Sequence, residues 1–139
     1  MFFTIIKNKE VEFIKRKFDS NKGFVPSGTI AQVSIGNNIA HVSGQISINP
    51  ETGEIEKGTV SHQTKRVLEN IKGIVTDMGL SMDDIIKCNV FISSMKCFDE
   101  MNEVYQKYFS IENPPARQTV GAEIWGGLDV EISAEVLID

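Results

Sequence analysis

The sequence predicts an α/β two-layer sandwich, a mixed sheet with two helices on one face, in the order β-β-α-β-α-β-β. Three observations carry that prediction. Two segments repeat apolar residues at the helical period of about 3.6 residues, the last segment alternates apolar and polar residues as a strand does, and Gly, Asn and Pro punctuate the runs between them. Strands interleaved with amphipathic helices bury their apolar faces against each other in two layers.

The elements follow in order. Residues 1–28 are the least readable stretch: "TIIKNKEVEFIKRKF" mixes strand and helix signals, and Phe24, Val25, Pro26, Ser27 and Gly28 read as a loop. "IAQVSIGNNIAHVSGQ" then gives two short strands around Gly36, Asn37 and Asn38, where Gly and Asn supply the positive φ of a tight hairpin. "NPETGE" is a second polar turn. "SHQTKRVLENIKGIVTDMGL" is the clearest helix, with Val67, Leu68, Ile71, Ile74, Val75 and Met78 on one face, Ser61 as N-cap and Gly79 as the stop. "IIKCNVFI" suits a mostly buried strand. "FDEMNEVYQKYF" is the second helix, with Phe98, Met101, Val104, Tyr105, Tyr108 and Phe109 as its buried stripe, and Asn113, Pro114 and Pro115 end it. A strand over residues 116–124, a turn at Gly126 and Gly127 and a strand over residues 129–137 complete the chain, the last alternating Val130, Ile132, Ala134 and Val136 with Glu131, Ser133 and Glu135. Helices on one face leave the other sheet face bare. Burial against copies of the chain is the economical solution, so a homo-oligomer is expected.

With 139 residues the chain is expected to be a single domain, 1–139, in which 1–27 form an N-terminal extension or first strand. Its net charge of -5 opposes non-specific binding to nucleic acid, and the basic residues near the N-terminus read as a solvated flank. No apolar run reaches membrane-spanning length, and "MFFTII" lacks the parts of a signal peptide. Two cysteines, Cys88 and Cys97, are too few for a disulfide framework, so reduced thiols in a cytoplasmic protein are expected. Two histidines and no Cys-x-x-Cys pair suggest no metal site, and there is no phosphate-binding glycine loop.

Arg117 leads the candidate site residues. Its guanidinium fork matches a carboxylate bidentately, and the Pro-Pro-Ala before it restricts the backbone that carries it. It reads either as an anion clamp or as a solvated strand end. Glu131 sits mid-strand, out of phase with Val130 and Ile132. On a strand paired with that of Arg117 it could handle a water while the arginine holds an anion, or it is simply the exposed side of an amphipathic strand, as Glu135 is. Ser43 and Gln45, in "HVSGQ", could offer hydrogen bonds at a strand end. His41 reads as a packed, hydrogen-bonded residue and His62 as a solvated or capping one. Cys88 reads as packing, and Cys97 opens a helix with no evident base. Asn102, a poor helix former inside the second helix, is expected to bond something specific.

"NNIAHVSGQISINPETGEI", "QTKRVLENIKGIVTDMGLSMDDIIKCNVFI", "MNEVYQKYF", "NPPARQTVG" and "VEISAE" together resemble the reactive intermediate deaminase family (RidA, YjgF-like), over roughly residues 28–136. Pro-Ala-Arg is the most specific of these pieces. The resemblance implies a chorismate-mutase-like fold and a homotrimer with sites in the clefts between subunits. It implies hydrolysis of 2-imino acids or their enamine tautomers to 2-keto acids and ammonia, with no cofactor and a small carboxylate as the bound partner. It makes Arg117 the carboxylate anchor and Glu131 the residue that positions water, if the hairpin before it is one residue shorter than usual. Ser43 and Asn102 fall at positions that line or support the pocket, and Thr119 where the family has cysteine or threonine. One departure stands out. A family tyrosine of the pocket is Ile30 here, which removes a hydroxyl and adds an aliphatic wall. That change favours, as the alternative, a non-catalytic module that binds a 2-keto acid.

Overall fold

A computed structural model describes residues 15–139. They form strands β1 (Arg16–Phe18), β2 (Val33–Gly36) and β3 (Ile39–Gln45), helix α1 (Val60–Asp77), strand β4 (Ile85–Ile92), helix α2 (Phe98–Tyr105), and strands β5 (Ala116–Gly121) and β6 (Val130–Leu137). Short 3-10 turns stand at Met82–Asp84, Met95–Cys97, Gln106–Tyr108 and Trp125–Gly127. All six strands make one mixed sheet in the order β1-β2-β3-β6-β4-β5, antiparallel throughout except for the parallel β4–β5 pair.

This is the α/β two-layer arrangement that the periodicities predict, with one added strand. β1 comes from the stretch whose signals are mixed: three residues with only Phe18 half-buried carry too short a pattern to show. The readings of residues 1–14 lie outside the described residues.

The hairpin between β2 and β3 turns on Asn37 and Asn38, with φ of 49° and 65°. Positive φ at both central residues matches the right-handed twist of the flanking strands, and asparagine tolerates it. Gly36 stays in β2. In α1 the N-cap is Thr59 rather than Ser61: its hydroxyl accepts from the His62 amide at 3.0 Å. Ser61 lies inside the first turn, where its amide and hydroxyl both donate to Glu100 of α2 at 2.9 and 3.0 Å. Gly79 stops the helix with φ of +81°, and the Leu80 amide closes back on the Val75 carbonyl at 3.0 Å.

The core lies between the helices and one face of the sheet. Val67, Leu68, Ile71, Ile74 and Val75 of α1 meet Val33, Val42, Val90, Ile132 and Val136, all buried. Each such side chain is worth about 1.5–3 kcal/mol of burial. α2 adds Met101 and Tyr105, with Phe98, Tyr108 and Phe109 packed at the margin. Val104 stands beside Lys107 in a surface groove instead of in the core.

The last two strands are not a hairpin. β4 lies between them, pairing parallel with β5 and antiparallel with β6. A strand as rich in apolar residues as β4 is most stable with a neighbour on each side. The β5–β6 connection therefore steps across its end, where the Ala122 amide donates to Ile92 and the Ser93 amide to Asp129, at 2.9 and 3.0 Å.

Candidate active site

β5 begins directly after Pro114 and Pro115, at the sheet edge, where the missing proline N–H costs no ladder bond. Arg117 is its second residue. It stands beside Cys88 in the parallel register, and Cys88 is fully buried toward the helices, so Arg117 points to the helix side. There Nη1 donates to Asn102 Oδ1 at 2.7 Å, and Cζ lies 4.6 Å from the Tyr105 ring centroid and 5.5 Å from that of Phe98. A guanidinium stacked on aromatic faces and tied at one nitrogen is held in orientation without being neutralised. The four ion pairs among the described residues do not include Arg117. The poor helix former Asn102 thus has its specific partner.

Beneath the guanidinium the Tyr105 hydroxyl is buried, with no hydrogen-bond partner among the described residues. Burial pushes this phenol far above its usual range and raises the Cys88 thiol to about 11, so both are neutral packing groups at physiological pH. Thr119, two residues beyond Arg117, shares its face and is half-buried.

Glu131 points the other way. Val130 and Ile132 on either side of it are buried against the helices, so the glutamate projects from the opposite face of the sheet. It pairs with Phe91 on β4, whereas Arg117 pairs with Cys88. That offset adds roughly 10 Å along the strands to roughly 10 Å across them. Within one copy of the chain the two residues therefore cannot share a small ligand. The condition that they lie on paired neighbouring strands fails, because β4 intervenes.

A β-bulge makes room for the Glu131 carboxylate. Val42 pairs with Ala134 and Gln45 with Ile132, so Ser43 and Gly44 together face Ser133. At Gly44 any Cβ would fall on the Glu131 carboxylate. Burial alone raises the carboxyl above its ordinary value, and among the described residues no cation pulls it back. The glycine of "SGQ" was legible as a strand-end residue, but the close approach it permits depends on the β3–β6 register.

Glu131, Ser43 and Ile30 meet in a cavity of about 430 Å³ on this outer face. Phe24, Pro26 and Ile30 supply one wall, Ile46, Ile48 and Ile55 another, and Trp125 stands at the rim. The Ser43 hydroxyl donates to the Ala31 carbonyl at 2.6 Å and so fixes the Ile30 loop against β3. Trp125 is the residue that sequence reading missed. It sits beside Gly126, whose φ of +74° turns the chain there, and it is 70% exposed. An isolated tryptophan before a Gly-Gly turn was the available signal.

The remaining candidates fall away from both groups. His41 is exposed opposite Glu135 rather than packed, because before the bulge the even positions Ala40 and Val42 of β3 face the core and His41 faces outward. The His62 ring lies 2.9 Å from Glu56, whose carboxyl the Arg66 hydrogen bond above all holds at about 2. Among the described residues no cluster of His, Cys, Asp and Glu is suited to a metal ion, and no helix is long and apolar enough to cross a membrane.

The family model described as Endoribonuclease L-PSP matches residues 21–138. The chain belongs to that family. A RutC family protein of Pyrococcus abyssi is 47% identical over 95 residues, covering 68% of this chain and 74% of that protein. A 2-iminobutanoate/2-iminopropanoate deaminase of Dermatophagoides farinae is 36% identical over 117 residues, covering 82% and 89%. The crystal structure of TdcF from E. coli with bound serine superposes with a TM-score of 0.80 at 33% identity, over 89% of this chain and 99% of that one. The resemblance read from the Pro-Ala-Arg segment and its companions is therefore correct at the level of family and fold.

Proposed function

We propose that the chain hydrolyses 2-imino acids and their enamine tautomers to 2-oxo acids and ammonia, at a site assembled from two copies of itself within a homotrimer. The observation that carries this reading is the sorting of the candidate residues onto opposite faces of the sheet. Arg117, Asn102 and Thr119 make one half-site, and Ile30, Ser43 and Glu131 make the other. A cleft between neighbouring copies would bring an unpaired cation opposite an unpaired, half-buried carboxylate. The relative that carries the deaminase name, at 36% identity, supports the same chemistry.

The chemistry asks little of the protein. The substrate is R–C(=NH2+)–COO⁻, already electrophilic at C2. Arg117 holds its carboxylate through two parallel N–H···O bonds. Glu131 accepts a proton from water as the water oxygen bonds to C2, giving a carbinolamine. The same carboxyl returns that proton to nitrogen; the C–N bond then breaks with release of NH3 while the hydroxyl proton passes to Glu131 and on to the ammonia, so that R–CO–COO⁻ and NH4+ leave. A base whose pKa is raised toward neutrality suits this exchange. We place this activity in the cytoplasm, the compartment expected of a chain with two cysteines and no disulfide framework.

The test is imine clearance. A dehydratase generates 2-aminoacrylate, semicarbazide traps what survives, and the protein is expected to lower the trapped yield. Glu131→Gln should lose about 10²–10⁴-fold of that activity. Its stability should move the other way. A raised carboxyl pKa means that the folded chain holds the proton to higher pH than the unfolded chain. Stability is then greatest below the ordinary glutamate range and falls as pH rises toward the folded-state value. The neutral glutamine should match or exceed wild type in melting temperature near neutrality and lose that advantage in acid; a lower melting temperature at neutral pH would contradict the burial of this charge.

Gly44→Ala separates placement from presence. The added methyl meets the far end of a flexible side chain, so the fold should tolerate it, while the carboxylate must move. A displacement of about 1 Å costs about 10²-fold in rate. Full activity in this variant would show that the bulge does not position the base.

The second reading is a 2-oxo acid-binding module without turnover, favoured by Ile30 where the resemblance implies a tyrosine. Binding of pyruvate with no imine clearance would select it. Cleavage of RNA by the purified protein, abolished in Arg117→Ala, would instead favour the activity in the family's description.

A further inference from the structure

We infer that the site takes 2-imino acids with bulky apolar side chains in preference to the three-carbon 2-iminopropanoate. The inference rests on the deaminase reading for the reacting end of the molecule. The side-chain end rests on the cavity alone.

Two features of the cavity argue for it. The first is the composition of its walls. Ile30, Phe24, Ile46, Ile55 and Trp125 surround the space beside Glu131, and Glu131 is its one charged lining group. Within one copy Ile30 is 59% exposed and Trp125 70%, apolar surface that faces the cavity instead of the core and is left for a ligand or the neighbouring copy to cover. Covering such surface is the favourable contribution that a larger ligand can make.

The second feature is that, Glu131 apart, the side-chain donors of the polar lining residues are already engaged. Gln32 donates both amide hydrogens, to the Ser20 and Phe24 carbonyls, each at 3.0 Å, and its oxygen accepts from the Ser20 amide at 2.8 Å. Ser43 donates to Ala31 at 2.6 Å, and Gln45 donates to the Ser43 carbonyl at 3.1 Å. The Gln32 bonds brace the entry segment, the Ser43 bond ties it to β3, and the Gln45 bond lies within β3. A hydroxyl, ammonium or carboxylate on the substrate side chain would be desolvated in the cavity without gaining those partners. The volume of about 430 Å³ lies within the range of ordinary small-ligand pockets and leaves room beyond a methyl group. Tyrosine at position 30 would bring a hydroxyl to the same wall. Isoleucine makes it wholly aliphatic.

Each methylene buried is worth roughly fourfold. The imine of leucine carries three more carbons than that of alanine, so a preference of at least about tenfold in kcat/KM is expected even with incomplete burial. An amino acid oxidase with catalase can generate both imines in situ from leucine and alanine, and semicarbazide trapping reads the clearance of each. Wild type should favour the leucine-derived imine, and Trp125→Ala and Ile30→Tyr should each reduce the ratio. Calorimetric binding of 4-methyl-2-oxopentanoate and pyruvate to the same proteins gives a readout without turnover. If neither imine is cleared but the larger 2-oxo acid binds more tightly, the deaminase reading fails and the side-chain preference stands. If both imines are cleared equally, or the smaller is favoured, the preference is overturned and the deaminase reading stands. Absence of any preference in binding, with no clearance, overturns both.

Discussion

Arg117→Ala is expected to lower kcat/KM for a 2-imino acid by about 10²-fold or more. The expectation follows from how the guanidinium is held. Tyr105 and Phe98 stack on it, Asn102 ties Nη1 at 2.7 Å, and among the described residues no carboxylate neutralises it. Among the described residues its remaining N–H groups have no hydrogen-bond partner, which leaves them to receive a substrate carboxylate. Charge-assisted hydrogen bonds of that kind are worth about 1.5–3 kcal/mol each, and both anchor and orientation go when the fork goes. Stability should change little, because Arg117 lies half-exposed on an edge strand and its removal leaves only the half-buried Asn102 side chain to find water. Arg117→Lys keeps the charge and loses the planar fork, so it should recover only part of the activity. Asn102→Ala keeps the fork and loosens its aim, so it should fall between the two. Wild-type turnover in Arg117→Ala with an unchanged melting temperature would remove the arginine from the site.

Most of the fold was legible because its signals are local. The α1 stripe, the alternation in β6 and the stop at Gly79 each depend on residues a few positions apart, and each appears in the structure. β1 was legible only as one of two choices for residues 1–27, an extension or a first strand, since three residues at the sheet edge bury too little to leave a pattern. The pairing of β5 with β4 was not legible either. Strand order is a long-range choice, and a segment over residues 116–124 followed by two glycines and another strand fits a hairpin equally well. The site shows the same division. Arg117 and Asn102 could be singled out by type and position, but their mutual bond depends on where α2 crosses β5. The opposite facing of Arg117 and Glu131 needed the register, and so did the use of Gly44. Trp125 escaped notice because nothing local says that a turn residue will stand at the rim of a cavity bounded by three other segments.

Mixing two inactive variants should restore activity, and this tests the assembly more sharply than either variant alone. Arg117→Ala retains an intact Glu131 half-site, and Glu131→Gln retains an intact Arg117 half-site. Because the two residues project from opposite faces of the sheet, neither variant can repair itself within one chain. If each cleft draws its arginine from one copy and its glutamate from the next, random reassembly of equal amounts makes about a quarter of the clefts wholly wild type, from the pairing odds in a cyclic homo-oligomer. The expected result is therefore about a quarter of wild-type clearance after joint unfolding and refolding, and almost none when the refolded variants are combined without exchange. The double variant Arg117→Ala/Glu131→Gln, mixed with either single variant, should restore nothing, because no cleft then regains both groups. Such a pattern requires copies that pair through the bare sheet face, so that the half-buried Glu131 carboxylate would come within reach of a neighbour's edge strand. Absence of recovery in a mixture shown to have exchanged subunits would mean that the two half-sites act separately. Glu131 would then lose its role as base for the anion that Arg117 holds.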